Sequence, residues 1–198
     1  MNFNINDAYA TPIYAGVVGF FDEIQSEIKK SIEDIDFSMR DEWSPTHHLS
    51  DTGFNENAIE KYNLNSFKVE LDNHIKDYCD VIGFKTRDYI LEASWFSLFR
   101  KGNYGHVHTH GSADISGVYY YQTTGNDGNL FFESPVPNMG GSLVYNGLAN
   151  RQEFKPENGR LVLFPGWLPH GIMTNTTDDT RISLSFNIIF DRMENNYG

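Results

Sequence analysis

Three histidines stand at alternate positions in the segment Tyr104-Gly-His-Val-His-Thr-His-Gly111: His106, His108 and His110. In an extended chain every second side chain leaves the same face, about 6.5–7 Å from the last, so two neighbouring imidazoles can converge on one metal ion once the strand twists or bulges. His170 follows roughly 60 residues later, in Leu161-Val-Leu-Phe-Pro-Gly-Trp-Leu-Pro-His170. There the run from Leu161 to Phe164 reads as a buried strand, Pro165 to Pro169 as a turn, and His170 as the opening of the next strand. A His-x-His pair from one strand and a distant histidine from another is how a non-haem iron site is assembled, with the remaining coordination positions left open. A surface stripe of histidines is the plain alternative.

A second candidate lies in Arg181-Ile-Ser-Leu-Ser-Phe-Asn-Ile-Ile189, where Ile182, Leu184, Phe186 and Ile188 are apolar and Arg181, Ser183, Ser185 and Asn187 are polar. Exposure of the polar face to solvent explains that alternation equally well. The face nevertheless carries a single arginine followed by small hydroxyls, which suits a pocket that grips a small carboxylate with a guanidinium fork and a supporting hydroxyl. Between Gly102 and Phe190 the only Lys or Arg residues are Arg151, Lys155, Arg160 and Arg181, and only Arg181 lies soon after His170 within a regular alternating strand.

The elements that must position these residues change character near residue 88. Before it, Phe21, Ile24, Ile28, Ile32 and Ile35 mark an amphipathic helix over 18–35. Phe67, Leu71, Ile75, Tyr78 and Ile82 mark a second helix, capped by Asn65 or Ser66 and ended by Gly83. The polar stretch 38–57 between them, with His47-His48, reads as a long loop. After residue 88 the signals are short and alternating, with strands expected near 89–99, 106–110, 115–122, 129–133, 142–146, 151–154, 160–165, 170–174 and 180–190. The fold class expected is α+β, mainly β: a jelly roll, or double-stranded β-helix, supported by N-terminal helices. It forms a single domain over 1–198, with helical support in 1–88 and the jelly-roll core in 89–190.

Composition sets bounds on function. The 198 residues are 39% hydrophobic and 15% aromatic, which excludes collagen, coiled coil and wholesale disorder. Fifteen Lys+Arg against 27 Asp+Glu give a formal charge of −12, the wrong sign for tracking nucleic-acid phosphates. The single cysteine, Cys79, excludes a disulfide framework and reads as a buried helix residue. MNFNINDAYATPIYAG has no basic region followed by an apolar stretch, and no run is long enough to span a bilayer; a cytoplasmic, membrane-free protein is expected. Trp95, Tyr104 and Trp167 read first as core residues and second as cavity walls. Oligomeric state is not legible.

The combination of His-x-His, Ser116-Gly-Val-Tyr-Tyr120, Phe132-Glu-Ser-Pro135, Leu161-Val-Leu-Phe-Pro-Gly-Trp-Leu-Pro-His170 and Arg181-Ile-Ser-Leu-Ser-Phe-Asn187 resembles the 2-oxoglutarate/Fe(II)-dependent oxygenase superfamily. More narrowly it is similar to a branch of bacterial and phage oxygenases distantly related to prolyl hydroxylases. The resemblance covers 92–190, and Thr11-Pro-Ile-Tyr14 and the two helices fit its layout. It implies an iron- and 2-oxoglutarate-dependent dioxygenase that couples oxidative decarboxylation of 2-oxoglutarate, with O2, to hydroxylation of a small-molecule or peptidyl substrate. It places the metal ligands on His108, His110 and His170. It places the far carboxylate of 2-oxoglutarate on Arg181, with Ser183 as hydroxyl neighbour and Tyr120 as a further contact. Tyr119, Tyr120 and Tyr121 are consecutive, so a one-residue shift moves that contact to the other face. One departure stands out: most of the superfamily has Asp or Glu where this chain has His110. Three neutral imidazoles leave Fe(II) with both positive charges uncompensated. The register His106/His108 and a pairing with Asp114 remain open at this stage. So do a cupin-like metalloenzyme that does not use 2-oxoglutarate and a metal-stabilised binding module. A peptidyl proline, a free amino acid, a small metabolite and a nucleotide all fit the resemblance as substrates.

Overall fold

The alternation between Arg181 and Ile189 is that of a strand, β11 (Arg181–Phe190), and it lies in the middle of a seven-stranded antiparallel sheet. The computed structural model describes residues 10–40, 44–50, 57–85, 88–136, 141–144, 147 and 151–192. In chain order the elements are β1 (Tyr14–Val17), α1 (Phe21–Ile32), β2 (Ser38–Arg40), β3 (Ser44–Leu49), α2 (Ala58–Lys61), α3 (Asn65–Ile82) and β4 (Tyr89–Phe99). They continue with β5 (Gly105–His108), β6 (Ile115–Gln122), β7 (Leu130–Phe132), β8 (Gln152–Phe154), β9 (Arg160–Pro165), β10 (His170–Ile172) and β11. The larger sheet runs β1-β9-β6-β11-β4-β3-β2 and a four-stranded sheet runs β5-β10-β7-β8.

Two apolar layers hold these parts together. Ile182, Leu184, Phe186 and Ile188 of β11 turn toward the helices, where they join Ile24, Ile28, Phe67, Leu71 and Ile75 in one core. Phe67 is the wedge of that layer, with its ring 5.2 Å from Tyr119 and 6.0 Å from Phe186. Truncating such a fully buried phenylalanine to alanine costs about 3–5 kcal/mol. On the other side of the sheet Val118, Tyr120, Val162 and Phe164 meet Leu130 and Phe132 of the smaller sheet in a second, smaller core. This is the expected jelly roll, with helices on the outer face of one sheet.

Several expectations from the sequence shift by a few residues, and two change in kind. The helix expected over 18–35 spans Phe21–Ile32. Neither Asn65 nor Ser66 caps α3 through its own side chain. Instead the Glu27 carboxylate of α1 accepts from Ser66 N at 3.0 Å and from the Ser66 hydroxyl at 2.8 Å, a cap delivered across the helix pair. Gly83 does end the helix, at φ +74°, with Phe84 N donating to Cys79 O at 2.9 Å. Cys79 is buried. The stretch 38–57 is not simply a loop. It holds β2 and β3, with β3 pairing onto β4 (His48 opposite Leu98, Leu49 opposite Ser97), so part of the first 88 residues completes the sheet. The strand expected at 142–146 does not form over 142–144, and 145–146 lie outside the described residues. No helix among the described residues is long and apolar enough to cross a membrane.

Candidate metal centre

Most of the polar face of β11 is withdrawn from solvent, with only Ser185 partly exposed. It looks into the space between the two sheets, where Arg181 and Ser183 are fully buried and Asn187 nearly so. Ladder pairing spreads the row sideways. Arg181 stands opposite Phe99, Ser183 opposite Ser97 and Tyr120, and Asn187 opposite Ala93 and Ser116. The smaller sheet closes this space from the other side and carries the histidines.

His108, at the end of β5, and His170, at the start of β10, are direct cross-strand partners. Their rings lie 4.4 Å apart, centroid to centroid. His110 is placed differently. The strand expected over 106–110 ends at His108, and His110 sits in the turn beyond it. There its N–H donates to Gly166 O at 2.7 Å and its carbonyl accepts from Ala113 N at 3.0 Å. A Cβ on Gly166 would lie 2.3 Å from Ala113 O and 2.7 Å from His110 O, so only glycine lets the 165–169 turn press against the His110 turn. The result is a cluster in which one ligand atom from each of His108, His110 and His170 lies within 4.8 Å of the others.

Neither alternative register joins this cluster. His106 lies outside it, and its carbonyl accepts from the His108 ring instead. The Asp114 carboxylate is committed to Phe190 N at 2.8 Å. The rings that do converge are poor proton acceptors. Burial pushes His110 down to about 4 and His170 down to about 3, in each case with the neighbouring imidazole His108 adding to the effect. Burial also lowers His108. All three are therefore neutral near pH 7, the form that ligates metal. Nδ1 of His108 lies 2.9 Å from His106 O, and Nδ1 of His170 lies 2.9 Å from Leu168 O. A carbonyl only accepts, so both rings carry their proton on Nδ1 and offer the Nε2 lone pair.

At the other end of the same row the donors are left over. Arg181 gives one bond, Nη1 to Gly128 O at 2.8 Å. Its guanidinium is stacked between the rings of Phe99 (5.0 Å) and Tyr120 (4.9 Å). Burial lowers its pKa, opposed by Tyr120 and by the Asp127 carboxylate, which is itself held by the Thr123 hydroxyl at 2.6 Å. Arg181 Nε, Arg181 Nη2, the Tyr120 hydroxyl and the Ser183 hydroxyl are all buried without a hydrogen-bond partner. Leaving one such group unmet costs about 1–3 kcal/mol. Four on neighbouring residues, all able to donate, are the kind of set that suits a polyoxygenated anion. The structure also separates the consecutive tyrosines. Tyr120 faces the arginine, whereas Tyr119 points to the helices and accepts from Gln25 Nε2 at 3.3 Å.

One residue read from the sequence as part of a polar loop lies instead on a strand beside the site. His47 on β3 stacks on Phe99 with centroids 4.4 Å apart and planes within 7°. Burial lowers it to about 3, helped by the charge of Arg181 and by His106 and His108. Nothing in Ser44-Pro-Thr-His-His-Leu49 alternates in polarity, so only the pairing of β3 with β4 reveals its place. Trp95 lies beside His110, with centroids 5.8 Å apart. Tyr104 and Trp167 are exposed rather than in the core.

Residues 93–187, just under half of the chain, match a sequence family described as "Putative 2OG-Fe(II) oxygenase", in agreement with the resemblance read from the sequence. No curated protein matches the chain in sequence. Similar solved structures include an oxidoreductase of the 2OG-Fe(II) oxygenase family from Burkholderia pseudomallei. It has 12% identity and a TM-score of 0.61, over 83% of this chain and 76% of that one. A Pseudomonas putida prolyl-4-hydroxylase has 12% identity and a TM-score of 0.59, over 91% and 94%. HygX from Streptomyces hygroscopicus, solved with nickel, 2-oxoglutarate and hygromycin B bound, has 12% identity and a TM-score of 0.63, over 91% and 83%. At such identities the likeness is one of fold.

Proposed function

We propose that this chain, matched over 93–187 by the 2OG-Fe(II) oxygenase family and folded as those enzymes fold, is a 2-oxoglutarate- and Fe(II)-dependent dioxygenase that hydroxylates a small molecule or a peptidyl residue, a prolyl one among the candidates. The observation that carries this is the buried, partnerless donor set of Arg181, Tyr120 and Ser183 on the larger sheet, with a three-histidine cluster carried by the smaller sheet that packs against it. A cupin-like metalloenzyme or a metal-stabilised module has no use for such a cradle.

His108, His110 and His170 would hold the metal, and the neutral imidazoles bring no counter-charge to it. Bound iron(II) supplies the coupling of 2-oxoglutarate decarboxylation, with O2, to oxidation of a substrate C–H bond, with succinate and carbon dioxide as co-products. Arg181 binds the far carboxylate of 2-oxoglutarate through Nε and Nη2, in a low-dielectric wall where a charge-assisted pair is strong. The Tyr120 and Ser183 hydroxyls donate to the same carboxylate and set its rotation. Phe99 and His47 exclude water from that end, and Trp95 flanks the His110 side. The neighbours named above include a prolyl-4-hydroxylase and a structure holding hygromycin B, so both peptidyl and small-molecule substrates suit this fold.

The test is succinate release from 2-oxoglutarate in the presence of added iron(II), together with calorimetric titration of 2-oxoglutarate into metal-loaded protein. Saturable cosubstrate binding that needs Arg181, and succinate formation that needs iron, are expected. Metal binding with no affinity for 2-oxoglutarate would overturn the reading in favour of a cupin-like or purely structural metal site.

A further inference from the structure

The third histidine poses a question that the other two do not. Nδ1 of His108 and of His170 meets a backbone carbonyl, which fixes both tautomers, but Nδ1 of His110 meets no carbonyl. Its neighbour is the side-chain amide of Asn187, at 3.4 Å from Nδ2, and that amide is in turn 2.9 Å from the Ser116 hydroxyl through Oδ1. Asn187 and Ser116 are direct cross-strand partners on β11 and β6, and both are buried. The register of β11 against β4 shifts between Asn187 and Ile188, a bulge at the position from which the amide reaches the ring. Bulges beside sites commonly re-aim a side chain.

A carboxamide has an accepting and a donating end, and a serine hydroxyl can donate or accept. Two arrangements therefore satisfy the chain Ser116–Asn187–His110. In one, the orientation the amide has in this structure, the NH2 faces Nδ1 and the His110 proton sits on Nε2, where it blocks a metal. In the other the amide is turned. Its oxygen accepts Nδ1–H, its NH2 donates to Ser116 Oγ, and Nε2 is left with a free lone pair. Only the second gives His110 the tautomer that His108 and His170 already have.

We propose that Asn187, backed by Ser116, is the positioning residue that holds His110 in the Nδ1–H tautomer and aims its Nε2 at the metal, doing with a turnable amide what two backbone carbonyls do for the other ligands. This rests on the reading of His110 as a ligand. It also gives the His110 substitution a structural companion: a carboxylate ligand at that position needs no tautomer set, whereas an imidazole does.

Two measurements separate the inference from the reading beneath it. Long-range proton–nitrogen correlation spectra of histidine-labelled, metal-free protein report the His110 tautomer directly. The Nδ1–H form is expected in the wild type, mixed tautomers in Asn187→Ala, and the Nδ1–H form again in Asn187→Asp, whose carboxylate can only accept. Cobalt(II) titration followed by its visible absorption should show affinity about 10–100-fold weaker in Asn187→Ala and recovered in Asn187→Asp. An unchanged tautomer and unchanged cobalt affinity in a folded Asn187→Ala would overturn the inference. So would an Nε2–H ring that persists in the wild type on cobalt addition. His110→Ala tests the underlying reading on its own: unchanged cobalt affinity there removes His110 from the ligand set, while the tautomer spectra still report whether Asn187 orients the ring.

Discussion

Two groups of buried polar residues flank the larger sheet, one on each face, and they are finished to different degrees. On the helix side the Tyr14 hydroxyl meets His74 Nδ1 at 2.7 Å, His74 Nε2 lies 3.7 Å from the Glu70 carboxylate, and Glu70 accepts from Gly19 N at 2.5 Å. That circuit closes on itself and ties β1 and the start of α1 to α3. On the other side Arg181, Tyr120 and Ser183 are at least as deeply buried, yet several of their donors point at nothing. Equal burial with unequal satisfaction separates a structural latch from the cosubstrate site proposed above. The first stabilises the protein as it stands, whereas the second costs it stability as long as its donors stay unmet.

The sharpest way to break this contrast is Arg181→Met, similar in length and apolar. Two charge-assisted bonds are worth about 1.5–3 kcal/mol each, so affinity for 2-oxoglutarate should fall by about 100-fold or more in calorimetry. The melting temperature of the ligand-free protein should hold or rise, because a buried, under-paired charge has been removed. A fall in both would mean that the cradle is structural after all.

Acidification should strike the open side next. The site imidazoles have folded pKa values depressed below the unfolded value of about 6.5, so the unfolded chain binds the extra protons first. Stability of the metal-free protein is therefore present above about pH 6.5 and falls as pH drops toward the folded values, about 4 for His110 and about 3 for His170. The slope approaches about 1.4 kcal/mol per pH unit for each histidine, measurable by urea unfolding at pH 7 and pH 5.

Glu70→Ala makes the reciprocal test on the closed side. It strands Gly19 N and His74 and should cost about 1–3 kcal/mol of stability, with cosubstrate affinity unchanged. The smallest effects belong to the hydroxyls of the cradle. Tyr120→Phe and Ser183→Ala should each weaken 2-oxoglutarate binding by roughly 2- to 13-fold, about 0.5–1.5 kcal/mol, and leave the unliganded melting temperature no lower.

The same contrast marks where the sequence was legible. Alternation along Arg181–Ile189 identified the strand and its apolar face, because that face contacts a large core whatever lies opposite. It could not decide what covers the polar face, since solvent and a second sheet select the same small polar residues. The histidine spacing pointed to a metal cluster and left its register open, the family resemblance alone selecting His108 and His110, and His110 is held by a turn and a close glycine contact rather than by the expected strand. The Glu27 cap on α3 and the stacking of His47 on Phe99 join residues far apart in the chain, and local periodicity carries no trace of either.

The central place of β11 has a consequence for the order of assembly. Until residues 181–190 are available, the larger sheet exists only as two halves, β1-β9-β6 and β4-β3-β2, each with an open edge where β11 will lie. Arg181 and Asn187 arrive on that same strand, so the carboxylate cradle and the support of His110 are absent from any shorter nascent chain. Apart from the local β2–β3 hairpin, pairing in this sheet is long-range, with Ala93 meeting Asn187 and Tyr14 meeting Leu163, which favours slow, late closure. The two unpaired edges of those halves are where a stalled intermediate would first aggregate.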